Sequence, residues 1–304
     1  MPELSQISYS RDECVAAFRD YFDFLTKMYL KPSEVLIPPK GGWPEITADS
    51  LQSLGKTDTV IDLLRHLPYI SGGGDPRYHA QGFPSCYFAD WTAVARRLIT
   101  GGSDQYNAYK IETEGHYAEN VPAHVVGLTI GGRDNVVFLL DTELGNVTWT
   151  ECPTEVQMNP SREQIEDYAY EYAPPNEADT WRSESSWAIT DFFELLKDHF
   201  RELRFIPRGS REVFDVYTTY VPELEGMLEM LQGIYREHGW PDLDHYRKQE
   251  CLEAVQMAME DQYPDRADRR DDEGDVEREA EAAASGSSEL LGLGDTGLDA
   301  ADST

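Results

Sequence analysis

The chain has 304 residues and a formal net charge of −31 at neutral pH. Residues 260–304 contain 15 acidic and 4 basic residues, so they contribute −11 and the rest of the chain carries −20. Nucleic acids and anionic membranes are both bound mainly through Lys and Arg. The charge therefore argues against both kinds of partner. It is typical of a surface that serves solubility or, alternatively, attracts a basic protein.

The cysteines lie far apart in sequence, at Cys14, Cys86, Cys152 and Cys251, and form no CxxC pair. This spacing is typical of neither a disulfide framework nor a zinc site, and it fits a reducing compartment. The N-terminus lacks the basic start and apolar run of a signal peptide, and no apolar run approaches the ~20 residues of a membrane span. We expect a cytoplasmic protein, with the nucleus as an open alternative, and no cofactor.

The first predicted helix begins where Ser10 and Glu13 form a capping box. Its apolar face follows at helical spacing, with Val15, Phe18, Phe22, Leu25 and Tyr29. Pro32 ends this helix. The Pro- and Gly-rich stretch 38–44 then predicts an irregular loop, in which Trp43 closes the edge of the core.

The elements predicted next are a helix over residues 60–67, a glycine-rich loop over 71–76, a strand over 83–88 and a helix over 91–99. The clearest β pattern follows in three short apolar runs, at residues 125–130, 136–140 and 147–150, which are joined by glycine-bearing connections. Such runs predict an antiparallel meander around residues 124–150. The middle run is apolar throughout, so we expect it to be buried on both faces.

An acidic insert occupies residues 151–187, with nine acidic and two basic side chains. We expect it to be exposed, apart from a short helix that Ser161 and Gln164 could cap. An amphipathic helix is predicted over residues 191–203, with Asp191 and Glu194 at its start. Helices over 222–239 and 241–259 complete the ordered part.

The predicted fold class is α+β, with a mostly antiparallel sheet packed by helices and followed by C-terminal helices. We assign residues 1–260 to a single domain, including a helical extension over 210–260. Residues 261–304 form a predicted disordered acidic tail, because this composition cannot bury enough apolar surface to offset chain entropy.

Several motifs resemble the SMI1/KNR4 family, also called the SUKH superfamily. The family pattern is a strand ending in glycines, an apolar strand ending in Asp, a glycine turn with another strand, and a final helix. Here these elements read LTIGG at 128–132, VVFLLD at 136–141, GNV at 145–147 and WAITDFFELL at 187–196, with LPYI at 67–70 similar to an upstream Leu-Pro element. The resemblance covers roughly residues 60–205 and is interrupted by the acidic insert.

The chain also departs from the family, because the N-terminal Trp-containing helix pattern is missing and Trp43 lies in a Pro/Gly loop. That loop is similar to a feature of filamentous-fungal proteins. The resemblance implies a sheet covered by helices that binds other proteins, as in fungal cell-wall and signalling regulators and bacterial toxin-immunity proteins. It implies no catalytic residues.

Motifs for the common catalytic sites are missing from the sequence, including GxSxG, HExxH and GxxxxGK[ST]. The alternative to a binding module is a hydrolase-like enzyme whose site is assembled from His79, His116 and Glu119. With His124 these residues are also the best metal candidates, although they lack the tight ligand pairs of zinc sites. Cys86 could act as a nucleophile only beside a His base, and buried packing is its simpler role. We predict neither catalytic nor metal-binding residues.

The aromatic residues of the insert are Tyr168, Tyr170, Tyr172 and Trp181, with Glu171 among them. They either cover the edge of the core or form a recognition surface, since Tyr and Trp are enriched at binding hot spots. In an extended segment the three tyrosines would share one side. We therefore predict a non-catalytic protein-interaction or scaffold module, which binds a basic protein through these five residues. The oligomeric state is left open.

Overall fold

A computed structural model describes residues 2–71, 80–100, 106–131, 135–159, 161–217 and 226–267 of the chain. Its helices are α1 Arg11–Met28, α2 Asp58–His66, α3 Trp91–Thr100, α4 Tyr106–Glu114, α5 Thr154–Gln157, α6 Ala169–Tyr172, α7 Pro175–Ala178, α8 Ile189–Arg201, α9 Met227–Glu237 and α10 Lys248–Gln262. Its strands are β1 Val35–Leu36, β2 Tyr69–Ile70, β3 Val125–Gly127, β4 Phe138–Asp141, β5 Asn146–Trp149, β6 Ser185–Ala188, β7 Phe205–Pro207 and β8 Val213–Asp215.

The chain divides into two compact units, residues 1–257 and 258–304. In the second unit the described residues end at 267 and comprise the end of α10 and the short 3₁₀ turn Pro264–Arg266. The predicted disordered tail over 261–304 therefore starts too early, because α10 continues to Gln262 and the 3₁₀ turn follows it. Residues 268–304 lie outside the described residues, as does most of the predicted glycine-rich loop at 71–76. Among the described helices, none is both long enough and apolar enough to cross a bilayer.

The central sheet contains four antiparallel strands in the order β3-β4-β5-β6. Val126 lies opposite Leu140, and Leu140 lies opposite Val147. The α+β class and the predicted meander are thus confirmed, and all four residues of β4 are buried, as its apolar pattern indicated. The fourth strand, β6, was not predicted. Its Trp187 pairs with Val147, a partner far away in the sequence.

The core between α1, α8 and the sheet is rich in aromatic side chains. The rings of Phe18 and Phe193 lie 4.6 Å apart, and those of Phe138 and Phe192 lie 4.9 Å apart, in edge-on geometry. These pairs form because both helices repeat apolar residues at the 3.6-residue period and therefore carry one apolar face each. Half of the predicted capping box of α1 is confirmed, since the Ser10 side chain accepts a hydrogen bond from the Glu13 backbone N–H. The return bond from the Ser10 backbone N–H to the Glu13 side chain is not formed.

The segment 83–88 is not the predicted strand. Phe83 and Cys86 pair with each other across a tight turn, in which Ser85 adopts a φ of 53°. Phe88 forms only a single bridge to Thr129. The segment therefore folds back on itself at Phe83 and Cys86, and its end runs beside residues 128–130, where the Ala89 N–H donates to the Leu128 carbonyl over 2.9 Å.

The start of α8 and the capped helix of the insert also differ from prediction. Helix α8 begins at Ile189, so Asp191 lies in its first turn, and the N-cap position is held by Ala188. No helix starts at Ser161, whose backbone N–H donates to the Asn159 side chain over 3.0 Å. Among the C-terminal helices, α9 begins at Met227 and α10 begins at Lys248, and both starts are later than expected. Residues 218–225 lie outside the described residues.

Two further pairs of short strands precede and follow the central sheet in the sequence. Strand β1 pairs with β2, and β7 forms a hairpin with β8, which the sequence did not predict. Trp43 is half-buried, and its indole N–H donates to the Leu67 carbonyl over 2.8 Å. It therefore closes the edge of the core, as its position in the loop predicted.

Candidate protein-binding surface

Trp181 does not belong to the exposed surface for which it was predicted. The side chain has 0% exposure, and its indole N–H donates to the Asn120 carbonyl over 3.2 Å. It belongs to a cluster of buried apolar residues with Tyr117, Val121, Val125, Val137 and Leu139. The prediction of Trp181 as a partner-binding residue is therefore wrong, because this tryptophan fixes the insert to the core.

Arg182 is a second anchor of the insert, and no local pattern in the sequence marks it. Its Nη1 atom forms an ion pair with Asp141 Oδ2 over 2.9 Å, although the two groups are not aligned as a hydrogen bond. Its Nε–H donates a hydrogen bond to the Glu177 carboxylate over 2.6 Å. The guanidinium stacks 4.2 Å from the Trp181 ring and 5.8 Å from the Tyr172 ring. A buried cation requires such neutralisation, and a planar guanidinium suits both the carboxylates and the rings.

Asp141 connects this anchor to the central sheet. It ends β4, and its Oδ1 accepts hydrogen bonds from the backbone N–H groups of Glu143 and Leu144 over 2.7 and 2.9 Å. The half-buried His124 lies beside the pair, with its Nε2 3.4 Å from Arg182 Nη2. The Asp of the VVFLLD motif thus holds both the β4–β5 turn and the insert in place.

Gly145 completes the same turn and allows the N-terminal segment to cross it. Its φ is 78°, and a Cβ atom there would lie 2.7 Å from the backbone of Ser8 and Tyr9. Both the left-handed conformation and the close backbone approach require glycine. The Asp and Gly of the family-like motif therefore have clear structural roles in this chain.

The outer face of the insert presents a pair of exposed tyrosines at the start of α6, with Tyr168 at the N-cap position and Tyr170 within the helix. Tyr168 is 63% exposed and Tyr170 is 49% exposed, and their ring centroids lie 5.2 Å apart. Glu171 beside them is exposed as well, whereas Tyr172 is half-buried and faces Arg182. The expectation that three tyrosines share one side is wrong, because the segment forms a helical turn instead of an extended chain.

Four exposed carboxylates belong to this region, of which Glu166, Asp167 and Glu171 are next to the tyrosines in sequence and Asp179 contacts Tyr170 in the fold. Asp167 accepts a hydrogen bond from the Leu4 backbone N–H over 2.9 Å, and Asp179 accepts one from the Tyr170 hydroxyl. The bond to Asp179 raises the pKa of Tyr170 above its ordinary value. Among the described residues, no basic side chain forms an ion pair with any of these four carboxylates.

We call Tyr168, Tyr170, Glu166, Asp167, Glu171 and Asp179 the outer surface of the insert. Of the five residues predicted to bind a partner, the structure brings together Tyr168, Tyr170 and Glu171 on this surface. Asp179 was missed because it is adjacent to Tyr170 only in the fold, where it accepts the tyrosine's hydrogen bond.

The residues of the alternative enzyme site do not gather in a described cavity. His116 is exposed, with its ring centroid 3.8 Å from that of Tyr117, and Glu119 is exposed. His79 lies outside the described residues. Cys86 is buried, which raises the pKa of its thiol and disfavours a nucleophilic thiolate. Within the described ranges, no three His, Cys, Asp or Glu side chains are placed to hold a metal ion.

Two of the cavities that described residues line lie within the first unit. One is an apolar void of about 10 Å³ beside Phe18 and Trp91. The other, of about 230 Å³, lies between the N-terminal segment at Gln6 and Ser8, the start of α1 and Thr190 of α8. Neither cavity is lined by His116 or Glu119.

Comparison of the chain with protein-family models, with curated proteins and with solved structures gives no match. The resemblance to the SMI1/KNR4 family therefore stays a prediction from the motifs in the sequence. The candidate site rests on its own geometry, which is an exposed tyrosine pair among carboxylates on an insert with a buried anchor.

Proposed function

We propose that this chain is a non-catalytic protein-interaction module of SMI1/KNR4-like type, which binds a basic protein through the outer surface of the insert. The observation that carries the proposal is the exposed pair of Tyr168 and Tyr170, set among carboxylates without basic partners in the described part of the chain. Tyrosine is a frequent hot-spot residue because it offers a large, rigid contact area. Surrounding carboxylates attract and orient a cationic partner.

The anchoring of the insert supports this proposal. Trp181 and Arg182 hold the segment from its inner side, whereas Tyr168 and Tyr170 point outward at the start of α6. A surface that is fixed before binding loses less conformational entropy when a partner docks. Cytoplasmic action is part of the proposal, since all four cysteines are free and buried.

The experiment that tests this function is a quantitative pull-down from lysate of the source cells with three forms of the full chain. These are the wild type, a Tyr168→Ala/Tyr170→Ala variant and an Ile99→Ala/Ile111→Ala control, whose isoleucines are 63% and 59% exposed on other helices. We expect at least one protein to be captured by the wild type and the control but not by the tyrosine variant. Raised salt should weaken the capture.

Capture that is equal for all three forms would overturn the proposed surface. The tyrosine variant should keep its fold, because both side chains are largely exposed and their loss leaves no cavity. A circular-dichroism melt of each variant verifies this before the pull-down is interpreted.

A further inference from the structure

The inner side of the insert already shows how this segment binds an arginine. The Arg182 guanidinium lies against the rings of Trp181 and Tyr172, and carboxylates of Asp141 and Glu177 neutralise its charge. Three chemical parts are combined here: aromatic faces, flanking carboxylates and a planar cation. Such an arrangement is favourable because the ring quadrupole and the carboxylates attract the same cation.

The outer surface repeats the first two of these parts. Tyr168 and Tyr170 supply the aromatic faces, and Asp167 and Glu171 directly flank the pair in sequence. Among the described residues, no Arg or Lys side chain is stacked on either of these two rings. The third part, the planar cation, must therefore come from elsewhere if the surface is used in the same way.

We infer that the outer surface of the insert binds an arginine side chain of the protein partner, and that it prefers arginine to lysine. This inference rests on the proposed function and specifies its partner. The occupant is an arginine-bearing segment, which the charge of the surface favours. Its guanidinium stacks on the tyrosine pair while its N–H groups donate to the flanking carboxylates.

The geometry determines where the guanidinium can lie. A planar group between two rings needs two contacts of ~3.5 Å each, or ~7 Å in total. The centroids of Tyr168 and Tyr170 are only 5.2 Å apart, so the guanidinium stacks on the outer faces and not between the rings. The outer face of each ring is accessible, because Tyr168 is 63% exposed and Tyr170 is 49% exposed.

Arginine and lysine carry the same charge, and this makes the preference between them informative. The guanidinium is planar, stacks on aromatic faces and donates several hydrogen bonds in a fixed fork, whereas the ammonium is a strongly hydrated point charge. Attraction to a chain of net charge −31 alone would treat both residues alike. Because lysine can also lie over a ring, a stacked site would favour arginine by up to about fivefold, the value of a whole exposed cation–π contact.

The test uses two fluorescent peptides that are identical except that arginine in one is replaced by lysine in the other. Their dissociation constants are measured by fluorescence anisotropy with the wild-type chain, the Tyr168→Ala/Tyr170→Ala variant and the Ile99→Ala/Ile111→Ala control. We expect the arginine peptide to bind more tightly, by up to about fivefold, to the wild type and to the control. This preference should disappear in the tyrosine variant. A Glu166→Gln/Glu171→Gln variant should weaken both peptides, and the arginine peptide more, because the guanidinium donates to the Glu171 carboxylate.

Equal affinity for the two peptides, a preference that survives loss of the tyrosines, or no measurable binding of either would overturn the inference. The proposed function fails separately, in the pull-down. A protein captured through Tyr168 and Tyr170, together with peptides that show no arginine preference, would leave the binding function standing and refute only the arginine-specific contact.

Discussion

Replacement of Arg182 by methionine tests whether a buried ion pair anchors the insert to the central sheet. The side chains of Arg182 and Asp141 are 5% and 1% exposed, so solvent screens their interaction only weakly. Removal of one partner from a buried pair typically costs about 3–5 kcal/mol, because the other charge is left uncompensated. Asp141 retains two backbone N–H donors, which stabilise its carboxylate. We therefore expect a loss near ~3 kcal/mol.

The assay is urea unfolding followed by tryptophan fluorescence, since Trp181 stacks directly on the substituted side chain. The matched control is Arg11→Met, which removes an exposed arginine that pairs with Asp12 and Asp62 at the surface. Surface ion pairs contribute about 0–1 kcal/mol, so the control should lose no more than that. Both variants exchange the same residue types, but Arg182 differs from Arg11 in the burial of its ion pair and in its stacking on Trp181 and Tyr172.

A double-mutant cycle separates the ion pair from simple loss of packing. Asp141→Asn removes the charge and keeps an acceptor for the turn that Asp141 holds. If the pair is the anchor, Arg182→Met should destabilise the Asp141→Asn protein less than the wild type, by about 1–3 kcal/mol. A loss below ~1 kcal/mol for Arg182→Met, or strictly additive effects in the cycle, would refute the ion-pair anchor.

Three further predictions concern the fold. Burial lowers the pKa of His199 from 6.5 to about 4 in the folded chain. Between these two pH values the unfolded chain binds a proton at His199 that the folded chain does not, so the free energy of unfolding decreases as the pH falls from 6.5 to about 4. This loss of stability is up to ~3 kcal/mol. The His199→Gln variant keeps an acceptor for Asn159, and in urea melts at a series of pH values its stability should change less over this range than that of the wild type. Gly145→Ala should destabilise more than Gly41→Ala in thermal melts, because both glycines have positive φ but only a Cβ at Gly145 meets backbone atoms; equal effects would contradict the close approach. In urea unfolding, Trp181→Ala should lower the free energy of unfolding by about 3–5 kcal/mol, and Tyr168→Ala should lower it by less than ~0.5 kcal/mol. Similar losses in the two variants would contradict the assignment of Trp181 to the inner face of the insert and Tyr168 to the outer face.

The elements that the sequence predicted well are those whose signals are local. The cap at Ser10 and the apolar period after it identify α1, and the apolar run before Asp141 identifies β4. Strand β6 was missed because it exists only through pairing with β5, and the hairpin of β7 and β8 is too short to show a period. Tertiary pairing decides such short segments more than intrinsic preference does.

The candidate site was predicted in part, for a similar reason. Acidic composition correctly indicated exposure for Tyr168, Tyr170 and Glu171, but it concealed Trp181 and Arg182, which are buried within the same segment. The partners of these two residues lie in other parts of the chain, so no local pattern marks them. One practical consequence is that deletion of residues 163–184 would remove both anchors and disturb the core, and point substitutions of the tyrosines are the cleaner test.

Site-specific photo-crosslinking tests most directly whether the outer surface of the insert contacts a protein partner. Tyr168 is replaced by the photoreactive residue p-benzoylphenylalanine in one form of the full chain, and Ile111, which is similarly exposed on α4, is replaced in the control form. Each form is irradiated in source-cell lysate, and the adducts are identified by mass spectrometry. We predict a protein that is cross-linked from position 168 and not from position 111. The same adducts from both positions, or no adduct from position 168, would contradict a binding function for this surface.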